Sequence, residues 1–327
     1  MRHPLFYNRG AAHPPPPMTA SSATSAASAI RPGSFAAWRV ALRPKTLWIA
    51  TIPVVVATCL AWSLAHAFDA AVAAIALAAA VLMQVVTNLQ NDVGYTERGG
   101  ETGSRVGLPR ATANGWLTVG AVKRAIAVAV VAAQIVALPL MIRGGWPIVL
   151  TSVSSTVSAW AYMGGPRPIA YTPFGELTVF VFFGLVAVGG SYYVQAGTIG
   201  SAALLTGAAI GSLAAAVLLV NNFRDRAHDA TTGRRTLPVV LGAGSSRRLY
   251  ALLLAAPFAL AAALAWRAGS AWFLLPLVCA LHAARLAAVF STAPPGPMLT
   301  GLMFRTVKLE VAFGALLCVA ALLHRLP

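Results

Sequence analysis

Long apolar runs separated by short polar breaks dominate the chain from about residue 46 onward. Nine runs stand out, near 46–66, 70–91, 125–142, 146–164, 174–194, 198–222, 249–266, 271–290 and 305–324. Each has about the 20 residues that a helix needs to cross a hydrocarbon core of about 30 Å. The eighth contains Arg285, and the ninth contains Lys308 and Glu310. The pattern predicts an all-α membrane protein with nine transmembrane helices. Residues 1–35 break it, being rich in Pro, Ala and Ser with basic residues as their only charges. Such a segment reads as a disordered tail ahead of a membrane unit over 36–327. No apolar h-region follows the basic start, so the tail is not expected to be a cleaved signal peptide.

Composition supports this reading: 58% of the 327 residues are hydrophobic and 10% are charged, against about 25% charged in soluble domains. A net charge of +16 raises the possibility of a nucleic-acid partner, and the placement of the basic residues excludes it. With the N-terminus inside, only Arg143, Arg267 and Arg325 of the 24 Lys and Arg fall on the outer side. That is the positive-inside pattern, and it predicts an N-in, C-out chain. Cys59, Cys279 and Cys318 lie inside apolar runs without paired spacing, which argues against a disulfide frame or a zinc site.

The eight acids are unevenly spread. Five of them, Asp92, Glu97, Glu101, Asp225 and Asp229, lie in two inside segments that resemble each other. Asn88-x-x-x-Asp92-x-x-x-Thr96 has the spacing of Asn221-x-x-x-Asp225-x-x-x-Asp229, and each segment is followed by Gly and Arg. A spacing of four stacks side chains on one helix face, so oxygen ligands converge as the helix leaves the membrane. The plainer alternative is solvated loop charge paired with nearby arginines. Against it, Asn88, Asn221 and Asn222 lie within apolar runs, where a polar side chain is costly unless it has a role. Oxygen donors without His or Cys suit Mg²⁺, which keeps sites for water and for substrate phosphate. Arg98, Arg105 and Arg110 beside the first cluster, and Arg224, Arg226, Arg234 and Arg235 beside the second, could take phosphate oxygens in pairs. Positive-inside topology is explanation enough for Arg247 and Arg248.

Several stretches together resemble one family. RPKTL at 43–47, NLQNDVGYTERGGETGSRVGLPRA from residue 88, GGPRPIAY at 164–171, GELTVFVFFGLVAVGGSYYVQAG at 175–197 and NNFRDRAHDATTGRRTLPVVLG at 221–242 are similar to motifs of the UbiA superfamily of intramembrane aromatic prenyltransferases. Within it the chain most resembles the branch that prenylates 1,4-dihydroxy-2-naphthoate in menaquinone synthesis. The resemblance implies nine helices around a central cavity that opens laterally to lipid, with both Asp-rich motifs at its cytoplasmic end. It further implies Mg²⁺ as cofactor, a polyprenyl diphosphate donor, an aromatic acid acceptor that loses its carboxyl group, and a bacterial inner-membrane location. No obligatory protein partner and no nucleic acid are implied.

Carried over by residue, Asn88, Asp92, Asp225 and Asp229 are the expected catalytic set. Asn91, Glu101 and Asn221 join those four as expected metal ligands. Arg105, Arg110, Arg224, Arg234, Arg235 and Lys45 are the expected substrate contacts, and Glu176 matches a further family position. Tyr192 and Tyr193, near Gln195, are expected to steady the allylic cation with their ring faces. Three departures stand out: Tyr95 replaces a usual Asp, Glu101 another Asp, and Arg234 a usual Lys. Two alternatives remain, namely a different aromatic acceptor such as 4-hydroxybenzoate or homogentisate, and a transporter. The nearly uncharged outer loops count against the transporter, since a transport path needs polar groups on both sides.

Overall fold

The computed structural model describes residues 30–100 and 106–326, and within them every regular element is helical. The Ser34 hydroxyl caps α1 (Phe35–Leu42), accepting from the Ala37 amide at 3.3 Å. A left-handed Arg43 and a 3₁₀ turn over Pro44–Thr46 then bend the chain by 42° into α2 (Trp48–Leu64). The Asp69 carboxylate caps α3 (Ala70–Glu97) by accepting from the Ala71 and Val72 amides, which leaves the positive helix end paired with an acid. α4 (Val119–Gly144) and α5 (Trp146–Met163) pack beside α3. The order continues through α6 (Gly175–Ala196), α7 (Ser201–Arg224), the short α8 (Arg226–Thr231), α9 (Leu237–Ala268), α10 (Ala271–Thr292) and α11 (Met298–Arg325).

The chain is an integral membrane protein. Seven of the described helices are long and apolar enough to span a bilayer, and eight if the bent pair of α1 and α2 is taken as one span. All nine apolar stretches expected from the sequence are helical. The one below the spanning threshold, besides the bent pair, is α5, which carries Thr151, Ser152, Ser154, Ser155, Thr156 and Ser158. Part of this polarity is satisfied between helices: the Gln134 amide donates to Thr156 Oγ1 at 2.8 Å, and the Ser152 hydroxyl donates to Gln134 Oε1 at 2.8 Å. Such bonds between helices replace the water that a membrane lacks.

α7 is the central staff. It is the most enclosed of the spanning helices, and it packs against α6, α9 and α11. Small residues allow this. A Cβ on Gly184 would meet the Gly207 carbonyl oxygen at 2.3 Å, and one on Gly211 would meet the Phe180 carbonyl oxygen at 2.5 Å. The backbones of α6 and α7 therefore touch, as small residues permit between membrane helices. The crossing coincides with a π-helical segment over Phe180–Val186, a local widening that rotates the following side chains. On the other side of α7, Phe290 stacks on Phe223 and Tyr250, with centroids 4.7 and 4.4 Å apart, and the Tyr250 hydroxyl meets Thr306 Oγ1 at 2.7 Å.

Gly211→Ala is expected to destabilise the protein by about 1–3 kcal/mol, because the added methyl group meets backbone that cannot turn away. Gly189→Ala, on the facing helix α6 but with nothing within 4 Å of the new atom, should leave thermal unfolding in detergent unchanged. Equal melting temperatures for the two variants would contradict the close crossing.

Candidate functional site

α3 and α7 end at the same end of the bundle, and the polar residues of their last turns surround one cavity of about 330 Å³. Asn88, Asn91 and Tyr95 line it from α3, and Asn221 and Asn222 line it from α7. Arg110 enters from the loop after α3, Arg234 from the loop after α8, and Arg43 and Thr46 from the corner between α1 and α2. Deeper in, the walls become apolar, with Phe182, Phe183 and Val186 from the π segment and Val54 from α2. One side stays polar: Thr151, Ser152, Ser155 and Ser158 follow one face of α5 down the cavity. The cavity therefore suits a ligand with an anionic head and an apolar body.

Among the described residues no carboxylate lines this cavity; Asp92, Asp225 and Asp229 organise its rim. Asp92 is fully buried. Its Oδ2 accepts from the Ala111 amide at 2.8 Å, and its Oδ1 accepts from the Thr112 amide at 2.9 Å and the Thr112 hydroxyl at 2.7 Å. The geometry thus gives Asp92 the work of pinning the loop that carries Arg110, in place of the open ligand position expected of it. Asp225 sits in a two-pronged pair with Arg224, at 3.0 and 2.8 Å, and the same Arg224 Nη2 donates to Asn221 Oδ1 at 2.9 Å. Asp229 accepts from Arg234 Nη1 at 2.6 Å and from the Thr236 hydroxyl at 3.4 Å. Burial holds the Asp229 carboxyl above the usual carboxylate range, against the downward pull of Arg234.

Arg234 joins the two motifs. Its guanidinium also donates to the Ala170 carbonyl at 3.0 Å and lies over the Tyr95 ring at 4.8 Å, while Arg110 lies 4.2 Å from the same ring centroid. Tyr95 is 3% exposed. Tyr95, standing where the resemblance implied an acid, thus gives two guanidiniums one shared aromatic face. Tyr171 adds a second face for Arg234, at 5.4 Å, and burial raises its phenol. His228 Nε2 lies 3.0 Å from the Gly100 carbonyl oxygen, a further tie between the motifs.

Other expected residues lie elsewhere. Tyr192 is buried in the main core and Tyr193 packs near Val54 and Val194; neither lines the cavity. Adjacent helical residues differ by about 100°, and in the last turns of α6 the cavity-facing positions are Gly190, Ser191 and Val194. Ring faces near the cavity come instead from Phe182, Phe183, Tyr95 and Tyr162. Gln195 staples the turn before α3, bonding the backbone N–H and C=O of Asp69 at 2.8 and 3.0 Å. Lys45 is exposed and lies 5.5 Å from the Phe304 ring, Arg235 is exposed, and Glu176 accepts from Asn222 at 2.9 Å behind the cavity wall. Glu101, Arg105 and the tail before Ile30 lie outside the described residues. The α5 stripe and Thr46 were missed from the sequence, although the spacing of 151, 155, 158 and 162 is that of one helical face.

Among the described residues no three His, Cys, Asp or Glu side chains gather as a metal cage. The second cluster nevertheless has the chemistry of a cation site. Asn221 Oδ1 and Asp225 Oδ2 already converge on one positive centre, Arg224 Nη2. Their all-oxygen donor set fits a hard divalent ion.

Residues 50–307 match the UbiA prenyltransferase family. The chain is 39% identical over 224 residues to a 1,4-dihydroxy-2-naphthoate octaprenyltransferase of Escherichia coli, covering 67% of this chain and 72% of that protein. It is 36% identical over 299 residues to the protein of the same description from Mycobacterium tuberculosis, covering 86% and 97%. In fold it is similar to a UbiA homolog from Archaeoglobus fulgidus bound to DMAPP and Mg²⁺, with a TM-score of 0.64, 15% identity and coverage of 86% and 99%.

Asp92→Asn would set an NH₂ group against N–H donors and leave at least one of them unpaired, at a cost of about 2–3 kcal/mol. The variant is expected to melt lower and to be cut faster by trypsin within residues 98–124. Asn91→Ala should change neither; a protected loop in Asp92→Asn would refute the pinning role.

Proposed function

The chain belongs to the UbiA prenyltransferase family, and on that premise we propose that it transfers a polyprenyl group from a polyprenyl diphosphate to 1,4-dihydroxy-2-naphthoate, with loss of CO₂. The observation that carries this reading is the polarity of the cavity. Asn88, Asn91, Asn221 and Asn222 and the buried guanidiniums of Arg110 and Arg234 ring one end, and apolar walls continue from it. A prenyl diphosphate has that shape and charge. The names of the relatives at 39% and 36% identity support the naphthoate acceptor.

In the reaction the allylic C–O bond breaks and the diphosphate leaves with the electron pair. The ring carbon bearing the carboxylate bonds to the allylic carbon, the bond to the carboxylate breaks, and its electrons return to the ring as CO₂ departs. Arg110 and Arg234 donate to the diphosphate oxygens, where negative charge grows, and their fixed positions keep reorganisation small. Asp92, through the loop, and Tyr95, through its ring, are positioning residues for those two guanidiniums. Phe182 and Phe183 present ring faces to the allylic cation and keep water away. Mg²⁺, held by Asn221 and Asp225 together with Asn88 or Asn91 from the first cluster, would neutralise charge on the leaving group. Asp229, fixed to Arg234, keeps that guanidinium at the rim. The positive-inside distribution supports a cytoplasmic site in a bacterial inner membrane, with residues 36–327 as the catalytic unit.

Membranes containing the protein, given labelled octaprenyl diphosphate, Mg²⁺ and 1,4-dihydroxy-2-naphthoate, are expected to yield a prenylated, decarboxylated product that EDTA suppresses. Product only from 4-hydroxybenzoate or homogentisate would move the acceptor assignment, and no product with any acid from folded protein would sink the reading. Asp225→Ala should lower turnover at least about a hundredfold with insertion intact. Tyr95→Phe keeps the ring and should preserve KM for the diphosphate, whereas Tyr95→Leu should raise it about tenfold, the loss of roughly 1–2 kcal/mol of cation–π support. Equal KM values would show that the ring does not position the arginines.

A further inference from the structure

The opposite end of the bundle holds a second polar basin that the prenyl-transfer reading does not use. Its wall is built from four helix termini. The end of α2 gives Ser63 and the adjoining turn His66, the start of α7 gives Ser201, the end of α9 gives Arg267, and the end of α11 gives His324 and Arg325. α7 alone, 24 residues and so about 36 Å long, separates it from the Asn221 cluster.

Charge placement makes this basin unusual. Arg143, Arg267 and Arg325 are the three basic residues that fall on the side the positive-inside pattern leaves nearly bare. Arg143 is accounted for by Asp69 at 3.1 Å and the Val194 carbonyl at 2.9 Å. The other two meet in the basin, together with two histidines, and among the described residues no acidic side chain lines it. Arg267 donates to the Ser201 hydroxyl, at 3.3 Å, and Arg325 donates to the Trp62 carbonyl at 3.1 Å. The start of α7 faces the same space with no side-chain cap, since Gly200 precedes it; its free amides carry the positive end of the helix dipole. The decisive group is Ser63. It lines the basin, is 2% exposed, and among the described residues its hydroxyl has no hydrogen-bond partner, a cost that a bound acceptor would remove. Two guanidiniums, a bare helix start and a waiting hydroxyl together form a binding site for a tetrahedral oxyanion.

The depth of the basin indicates where such an anion comes from. Trp266, Trp146 and Trp272 are exposed at this same end, at 80%, 75% and 49%, and exposed tryptophans mark the headgroup level of a bilayer. We propose that the basin binds the phosphate group of an anionic phospholipid in the leaflet opposite the Asp-rich motifs. Arg267 and Arg325 pair with the phosphate oxygens, Ser63 and Ser201 donate hydroxyl bonds, and the acyl chains lie along the outer faces of α2 and α9.

The full chain in neutral detergent tests this by thermal unfolding against four additives at equal ionic strength: dihexanoyl phosphatidylglycerol, dihexanoyl phosphatidylcholine, inorganic phosphate and sodium chloride. A saturable rise in melting temperature with phosphatidylglycerol is expected. Its half-saturating concentration should increase about tenfold or more in Arg267→Gln/Arg325→Gln, the loss of charge-assisted bonds, and severalfold in Ser63→Ala. If the double variant does not fold, Arg267→Gln alone, at an exposed helix end, carries the same comparison. An equal rise with inorganic phosphate would keep the site and name free anion as its ligand. No rise with either phosphate-bearing anion, an equal rise with phosphatidylcholine, or an unchanged midpoint in the arginine variants would overturn the proposal.

Discussion

An ionised carboxylate in a space with little water is costly without a partner, and at the motif end of this bundle Asp92, Asp225, Asp229 and Glu176 each have one. Asp92 takes two backbone amides and a hydroxyl, Asp225 takes Arg224, Asp229 takes Arg234, and Glu176 takes the Asn222 amide. Removing one partner of such a pair costs about 3–5 kcal/mol, so these bonds decide where the loops lie. Arg234 is the residue on which the rest converges, since it holds Asp229, the Ala170 carbonyl and the Tyr95 ring at once. The same requirement explains why the cavity is lined by amides and guanidiniums. The acids stand behind them and fix their positions.

Backbone contact between α6 and α7 sets the other dimension of the cavity. Gly184, Gly207 and Gly211 bring the two helices together along the π segment, and that segment points Phe182 and Phe183 inward. The polar stripe of α5 faces them across the same space. Small residues on one side and hydroxyls on the other thus leave a cavity with a polar rim, an apolar wall and one hydrophilic flank.

The sequence was read correctly where one physical rule dominates. Apolar runs marked the helices, because a membrane admits little else, and Asn88, Asn221 and Asn222, which line the cavity, stood out as amides inside those runs. It was misread where rotation about a helix axis decides the outcome. Tyr192 and Tyr193 have the right chemistry on the wrong faces of α6, and a π segment upstream shifts the phase in a way that no residue type announces. α5 shows the converse. Its serines and threonines lower its hydropathy below that of a spanning helix, yet their i, i+4, i+7 spacing recorded the cavity face. Asp92 and Asp225 share a spacing in the chain, and their partners are set by loops whose course depends on tertiary pairing.

That last difference has a consequence for the two motifs. Similar spacing suggested two matching half-sites, each with its acid as a metal ligand. The folded chain makes them unequal. In the first, Asp92 is committed to backbone N–H groups, which cannot leave without unfolding the loop, and the position where the resemblance leads one to expect another acid holds Tyr95. In the second, Asp225 and Asn221 meet a side-chain guanidinium, which can swing away and be replaced by a metal ion at little backbone cost. On the proposed reading the second motif is therefore the stronger cation site, and the first acts chiefly through Arg110. Tyr95 fits that division: an acid beside Arg110 and Arg234 would pair with them and withdraw their charge from a bound diphosphate, whereas a ring face supports both guanidiniums without neutralising them.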